Sequence, residues 1–301
     1  MSGAVDLAPQ ELRVLVAVAE EGGFSAAAVR LGATQSAVSH SVRGIERRLG
    51  IVLFERGRFG ARPTPAGERA VAHARRILRM LSVLVNETRG AGRPEITGPL
   101  RIAAFRSAAL HLLPPVLARL SARHPGIEAS VTVVREIGPG TAGEVAEGRA
   151  DLGIATLGTR GAGAPVPPGL VGDVLLEEPY ALVHPAGHHD PRSLPLVDWR
   201  ENCSSYTRQW WAAQDWIPAA TVRAEDDGAV LSMVGSGLGM AIMPALSLTA
   251  VPAGTQITDL GPERPTRRVG YVTTPELAAT AAVRALVREL RASATSQVSA
   301  V

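Results

Sequence analysis

Apolar residues at Leu12, Leu15, Val16 and Ala19 recur at helical spacing behind Pro9, which suits a first turn, and predict an amphipathic helix over about 9–20. Gly22 and Gly23 stop it. Phe24 to Leu31 repeats the pattern over a shorter span with Ala27, Ala28 and Leu31 inward, Gly32 and Ala33 turn the chain, and Thr34 offers a side-chain cap to a third helix. That helix runs from about Gln35 to Leu49, with Ala37, Val38, Ile45 and Leu49 toward the core and Gln35, Ser36, Ser39, His40 and Arg43 outward. After Gly50 the pattern changes to two short extended stretches around Gly57 and Gly60, carrying Arg56, Arg58 and Arg62. From Pro65 to about Arg89 nothing breaks the helix after Gly67, and Ala70, Ala74, Ile77, Leu81, Leu84 and Thr88 alternate by four and three, a heptad seam. About three heptads seldom persist as a lone exposed helix, so the seam calls for a second chain or its own domain to cover it.

Beyond the Gly/Pro-bearing stretch 90–99 the pattern alternates between strand and helix. Leu100 to Phe105 reads as a buried strand, 107–123 as a helix, Ile127 to Val134 as a strand, Thr141 to Glu147 as a short helix and Asp151 to Thr156 as a strand, which argues a parallel α/β sheet. A second set follows the Pro/Gly-rich run Gly161 to Gly169: strands near Leu170 to Leu176 and Tyr180 to His184, helices around Tyr206 and over Asp227 to Gly235, then Arg267 to Thr273 and a helix from Glu276 to Arg291.

A chain of 301 residues is long enough for two or three folding units. Its longest apolar runs fall short of the ~20 residues of a membrane span, and its acidic N-terminal segment (Asp6, Glu11, Glu20, Glu21) is unlike a signal peptide, so the expected place is the cytoplasm. Cys203 is the single cysteine, which leaves no internal disulfide and no multi-cysteine zinc site. Residues 1–93 hold 14 Arg against 8 Asp and Glu, net +6, while 94–301 hold 17 against 20, net −3. A basic N-terminal segment supplies the phosphate neutralisation that gives affinity for DNA.

Two short helices joined by a tight turn, the second polar near its N-terminus, suit an element that enters the major groove. The side chains fit that role: Gln pairs with adenine, Arg with guanine, and Ser with either. Thr34, Gln35, Ser36, Ser39, His40 and Arg43 are therefore the candidate reading residues, and Arg56, Arg58 and Arg62 form a basic wing toward phosphates or a narrow minor groove.

Phe24 to Arg43, followed by IERRLGIVLFERGRFGARPTPAG, resembles the LysR-type family of bacterial transcriptional regulators. The likeness covers about 60 continuous residues and combines TQSAVSHSVRGIE, LG-x-x-LFER and TPAG in order and spacing, with a departure at Arg62-Pro63-Thr64, where Leu-Thr is more usual. The resemblance implies an α/β protein overall: an all-α winged helix-turn-helix over 7–64, a dimerisation linker helix over 65–89, a hinge over 90–99 and an effector-binding domain over 100–292. That last domain would resemble periplasmic solute-binding proteins, with lobe I at about 100–162 and 267–292, lobe II at about 163–266, and crossings near Gly161–Pro168 and Gly261–Arg267. The implied partners are double-stranded DNA carrying an imperfect palindrome, a second copy or a tetramer of the chain, and a small-molecule effector. No cofactor, metal, membrane or enzymatic activity is expected.

Ligand contacts in such a domain come from strand ends and helix N-termini, where free N–H groups favour an anion such as a carboxylate. Ser107 and Ala108, Thr156 and Leu157, Ser204, Ser205 and Tyr206, and Asp226 stand at such places, although each also reads as an ordinary cap. All four tryptophans lie within Trp199–Trp216, where packing is the default role. Gly138-Pro-Gly-Thr-Ala-Gly143 fits a dinucleotide fingerprint, but no acidic residue follows about 20 positions on and Pro139 restricts the loop. His184, His188, His189 and Asp190 are read as a solvated loop rather than a metal site, and no nucleophile, base and orienter occur together. Two alternatives remain at this point: a solute-binding protein without a transcriptional role, and a nucleoid-type protein that binds DNA without sequence preference.

Overall fold

The computed structural model describes residues 6–57, 60–89, 95–159, 162–163, 166–199 and 210–298. Arg58, Cys203, Ser204, Ser205, Tyr206 and the hinge positions 90–94 lie outside them. The chain forms two compact units, one built on Met1–Pro94 and one on Glu95–Val145 with Ala150–Val301.

In the N-terminal unit α1 spans Pro9–Glu21, α2 Phe24–Leu31 and α3 Gln35–Leu49; the hairpin β1 (Phe54–Gly57) and β2 (Gly60–Pro63) follows, then α4 (Pro65–Arg89). Thr34 caps α3, its Oγ1 accepting from Ala37 N–H at 3.2 Å. Leu15, Val18, Ala27, Val38, Val42 and Ile45 meet in one core. The inward face of α3 differs from the expected one. Val38, Ser39, Val42 and Ile45 are buried, whereas Ala37 and Leu49 are exposed. Positions 38, 42 and 45 lie along one stripe at steps of four and three, about 100° around the axis from Ala37, and Leu49 ends the helix beyond the core.

The segment after α3 is tied back to it. Glu46 Oε1 accepts from Leu53 N–H at 2.8 Å and Phe54 N–H at 3.1 Å, fixing the start of β1. Thr64 donates its N–H to Leu53 O at 2.8 Å, and its Oγ1 caps α4 at Gly67 N–H, 3.0 Å away. A Cβ at position 67 would lie 1.9 Å from Leu53 O, so the glycine of TPAG lets α4 approach the hairpin backbone. Pro63 pairs opposite Phe54 at the end of the ladder, and the unusual Arg-Pro step leaves the hairpin intact. The first half of α4 buries Val71, Ala72 and Ala74, while Ile77, Met80, Leu84 and Val85 are exposed along the rest.

In the C-terminal unit the strands are β3 (Gly98–Ala104), β4 (Ile127–Val133), β5 (Leu152–Thr156), the short β6 (Gly158–Thr159) and β7 (Ala162–Gly163), β8 (Val171–Pro185), β9 (Leu196–Trp199), β10 (Ala220–Ala224), β11 (Ala241–Pro244), β12 (Thr255–Asp259) and β13 (Thr266–Thr273). A seven-stranded sheet runs β11-β8-β13-β5-β3-β4, with β12 also on β8. β3 is parallel to β4 and β5, as the strand and helix alternation requires, and β13 is antiparallel to β5 and β8.

The two strands expected around Pro179 are one continuous strand of 15 residues. Its first half pairs with β13 beside β5, and its second half pairs with β11 and β12. The chain therefore passes between the two lobes inside β8, near Glu177 to Tyr180 and not near Gly161–Pro168 as expected, and returns at the start of β13, near Arg267, at the end of the expected Gly261–Arg267 crossing. Helix 106–123 follows β3 with a π-type turn at Ala108–Leu112 before α5 (Leu113–Arg123). α6 is Gly140–Ala146, α7 Asp227–Gly235, α8 Pro275–Ala278 and α9 Ala281–Val298. Trp199 and Trp211 are buried in the lobe II cores and Trp210 and Trp216 pack beside them, so the aromatic cluster is a packing element. Among the described residues no helix is long and apolar enough to cross a membrane, and no cluster of three metal-ligating side chains occurs.

Candidate functional site

Two surfaces carry the candidate chemistry. On α3, Gln35, Ser36, His40 and Arg43 are exposed, and Thr34 stands at the cap with its Oγ1 3.0 Å from Ser36 Oγ. Ser39 belongs to a different layer. It is 5% exposed and accepts from Arg56 Nη2 at 3.1 Å. The same guanidinium stacks on the Phe24 ring, 4.4 Å from its centroid, and Phe24 meets Phe54 edge to face. Arg56 thus fastens β1 to α2 and α3, yet stays exposed to solvent. Arg62 is exposed on β2. Behind this surface Glu20 of α1 accepts from Arg30 at 2.5 Å and from Arg75 at 3.0 Å. Burial pushes the Glu20 carboxyl up, and the two arginines outweigh it, holding it below the ordinary glutamate value.

In the C-terminal unit Ser107 and Ala108 lie in the first turn of the helix after β3, where Ala109 N–H donates to Phe105 O at 2.9 Å. Ser107 is buried, and its Oγ accepts from Arg267 Nη2 at 3.3 Å. Arg267 faces Glu178 across the crossing strands, with Nε to Oε1 at 2.6 Å, and stacks over Phe105 at 4.7 Å. Glu178 also accepts from Leu246 N–H at 2.6 Å. Burial opposes the charge on Arg267, and the facing Glu178 outweighs it, so its pKa stands above the ordinary arginine value.

Thr156 and Leu157 do not present free N–H groups. Thr156 N–H goes to Glu136 Oε1 at 3.0 Å and Leu157 N–H to Arg268 O at 2.7 Å. The other Glu136 oxygen accepts from Thr141 N–H at 2.9 Å and Thr141 Oγ1 at 3.0 Å. An internal carboxylate therefore occupies the start of α6, where a dinucleotide phosphate would sit if Gly138–Gly143 were a phosphate loop. Asp226 caps α7 through Ala229 N–H at 3.0 Å and accepts from Arg106 at 2.5 Å. Arg106, Arg135, Glu136, Glu178 and Arg267 carry no repeat or motif in the sequence; Arg106, Arg135 and Glu136 follow the ends of β3 and β4, Arg267 opens β13, and Glu178 lies within β8. Ser204, Ser205 and Tyr206 lie outside the described residues.

The profile described as "Bacterial regulatory helix-turn-helix protein, lysR family" matches residues 9–68, and that described as "LysR substrate binding domain" matches residues 93–295. A probable HTH-type transcriptional regulator, LrrA of Synechococcus elongatus, is 36% identical over 256 residues, covering 80% of this chain and 82% of its own. A cysteine-to-aspartate variant of full-length OxyR from Pseudomonas aeruginosa aligns with a TM-score of 0.71 at 24% identity over 95% of both chains. Full-length CbnR complexed with its target DNA aligns at 0.66 and 22% identity, over 95% of this chain and 100% of that one. The exposed reading helix, the pinned wing, the two-lobed α/β unit and these matches agree: the chain belongs to the LysR family, as a DNA-binding transcription regulator with an effector-binding C-terminal domain, and not an enzyme.

Proposed function

We propose that the chain regulates transcription from the cytoplasm as a homodimer or homotetramer on an imperfect palindrome, with Gln35, Ser36, His40 and Arg43 reading base edges in the major groove. Thr34 sets the start of that helix, and Ser39 acts from behind it by holding Arg56. Arg56, Arg58 and Arg62 contact phosphates or the adjacent minor groove. The observation that carries this reading is the row of exposed polar side chains at the N-terminal half of a capped helix, with a guanidinium from the wing locked beside it. CbnR, a structural neighbour, is solved on its target DNA, which supports the same use of this fold. The exposed Ile77, Met80, Leu84 and Val85 on α4 support a helix that pairs with a second copy. Two-fold pairing would place the reading helices about 34 Å apart, one turn of DNA.

The effector is a small molecule held between the lobes of the C-terminal unit, with a carboxylate toward the first-turn N–H groups at Ser107 and Ala108. Thr156 stands at the same strand ends, Leu157 packs its side chain into the lobe I core behind them, and Ser204, Ser205, Tyr206 and Asp226 are the proposed contacts from lobe II. The effector shifts DNA affinity only by binding one arrangement of the chain better than another. Selection of sheared genomic DNA on the purified full chain, followed by sequencing, tests the regulator reading. Enrichment of a few dyad-bearing intergenic sites is expected; binding that is uniform over all sequences would support a nucleoid-type role instead.

A further inference from the structure

Lobe I reaches lobe II through two arginines at its strand ends. Arg106, just beyond β3, donates through Nη1 to Asp226 Oδ1 at 2.5 Å and to Asp227 Oδ1 at 3.3 Å. Arg135, just beyond β4, donates to Glu225 Oε2 at 3.1 Å and to Glu225 O at 3.0 Å. Three consecutive acidic residues of lobe II are thus gripped from the other lobe. The acidic run is itself held in place: Asp226 caps α7, and Asp227 Oδ2 accepts from Ser247 Oγ at 2.9 Å. The Arg106 guanidinium lies so close to α7 that a Cβ at position 228 would sit 2.1 Å from Nη1 and 2.4 Å from Nη2. Glycine is disfavoured inside a helix, and here its missing side chain makes the room the guanidinium occupies.

We propose that Arg106 is a latch that holds the lobes together before an effector binds, with Gly228 as the notch that receives it. This rests on reading the C-terminal unit as the effector-binding domain. Arg135 is the weaker grip, because its partner Glu225 is largely in water. The Arg267 and Glu178 pair lies buried on the crossing strands, so parting the lobes breaks the water-accessible pairs and leaves the buried one intact. An effector anion that reached the Arg106 guanidinium would compete with Asp226 for it, which would couple occupancy to lobe spacing through one side chain.

Hydrogen–deuterium exchange on the full chain without added ligand tests the latch in two variants. Arg106→Gln removes the charge, and Gly228→Ala keeps every charge but displaces the guanidinium. Both are expected to speed exchange about three- to tenfold in peptides covering 106–112 and 226–232, with a smaller rise for Arg135→Gln. The wild type should approach the Arg106→Gln rates as salt rises to about 1 M, where exposed pairs are screened. Unchanged rates in both variants would overturn the latch, and if Arg106→Gln loosens the whole domain, Gly228→Ala decides. Loss of the latch with retained selection of dyad-bearing DNA would leave the regulator reading standing; loss of that DNA selection would strike the regulator reading and leave the latch result as it is.

Discussion

The reading helix and the strand ends of the effector domain hold their polar residues in opposite ways. On α3, Gln35, Ser36, His40 and Arg43 point into water, and the bonds that shape the surface are made one layer behind, by Thr34, Ser39, Glu46 and Arg56. Between the lobes, Arg106, Glu136, Ser107, Asp226 and the N–H groups of Thr156 and Leu157 are all engaged with one another or with nearby backbone. A DNA site read by this face, as proposed, would therefore meet side chains that need only shed water. An effector at the proposed contacts would meet groups that must exchange protein partners for ligand ones, and its affinity would be reduced by the bonds it replaces. The first surface suits a reader that is always ready, and the second suits a switch.

The largest expected effect separates the supporting layer of α3 from its outward face. Ile45→Ala, at a fully buried position, should destabilise the N-terminal unit by about 2–5 kcal/mol in a denaturant melt and remove DNA binding with it. Arg43→Ala should leave the melt unchanged and cost about 1–3 kcal/mol on the specific site alone. A large stability loss from Arg43→Ala would mean that the outward face is structural after all. Next, Arg62→Gln should weaken binding to all sequences equally and reduce the slope of log affinity against log salt by about 0.9, the signature of one lost phosphate contact.

A smaller effect concerns the effector domain away from the strand ends. Glu289 accepts from Arg119 at 3.1 Å and from Arg123 at 2.5 Å. Burial raises its carboxyl pKa, and the two hydrogen-bonded arginines outweigh that, so the folded value lies below the unfolded one. The stability it contributes is therefore present above the ordinary glutamate range and is lost as pH falls through the depressed folded value. Urea melts of Glu289→Gln and wild type should differ at neutral pH and converge as the solution is made acid. A gap that widens on acidification would contradict the assignment.

Much of the N-terminal unit was legible because its elements are consecutive and its motif is continuous: helix, turn, capped helix, hairpin and linker follow within about 80 residues. On α3 the departures are two small residues off the buried stripe and Leu49, on that stripe but beyond the core. Ala37 and Ser39 differ from the true stripe of Val38, Val42 and Ile45 by one position each, and apolarity alone cannot place small residues on a helix face. The effector domain was legible as alternating strands and helices but not as a site. Arg106 and Asp226 are 120 residues apart, and Arg267 and Ser107 are 160 apart, so no local spacing announces their meeting. The strands expected near Leu170 to Leu176 and Tyr180 to His184 join through Pro179, whose missing donor falls opposite Thr266, where β13 begins and the chain passes from one lobe to the other.

The most direct test of the central claim is the affinity of the full chain for a selected dyad site and for a scrambled duplex of equal length, across a range of salt. A preference of at least about a thousandfold at physiological salt is expected, reduced by Arg43→Ala on the dyad site but not on the scrambled one. Equal affinities and equal salt slopes on both duplexes would contradict a sequence-reading role for α3.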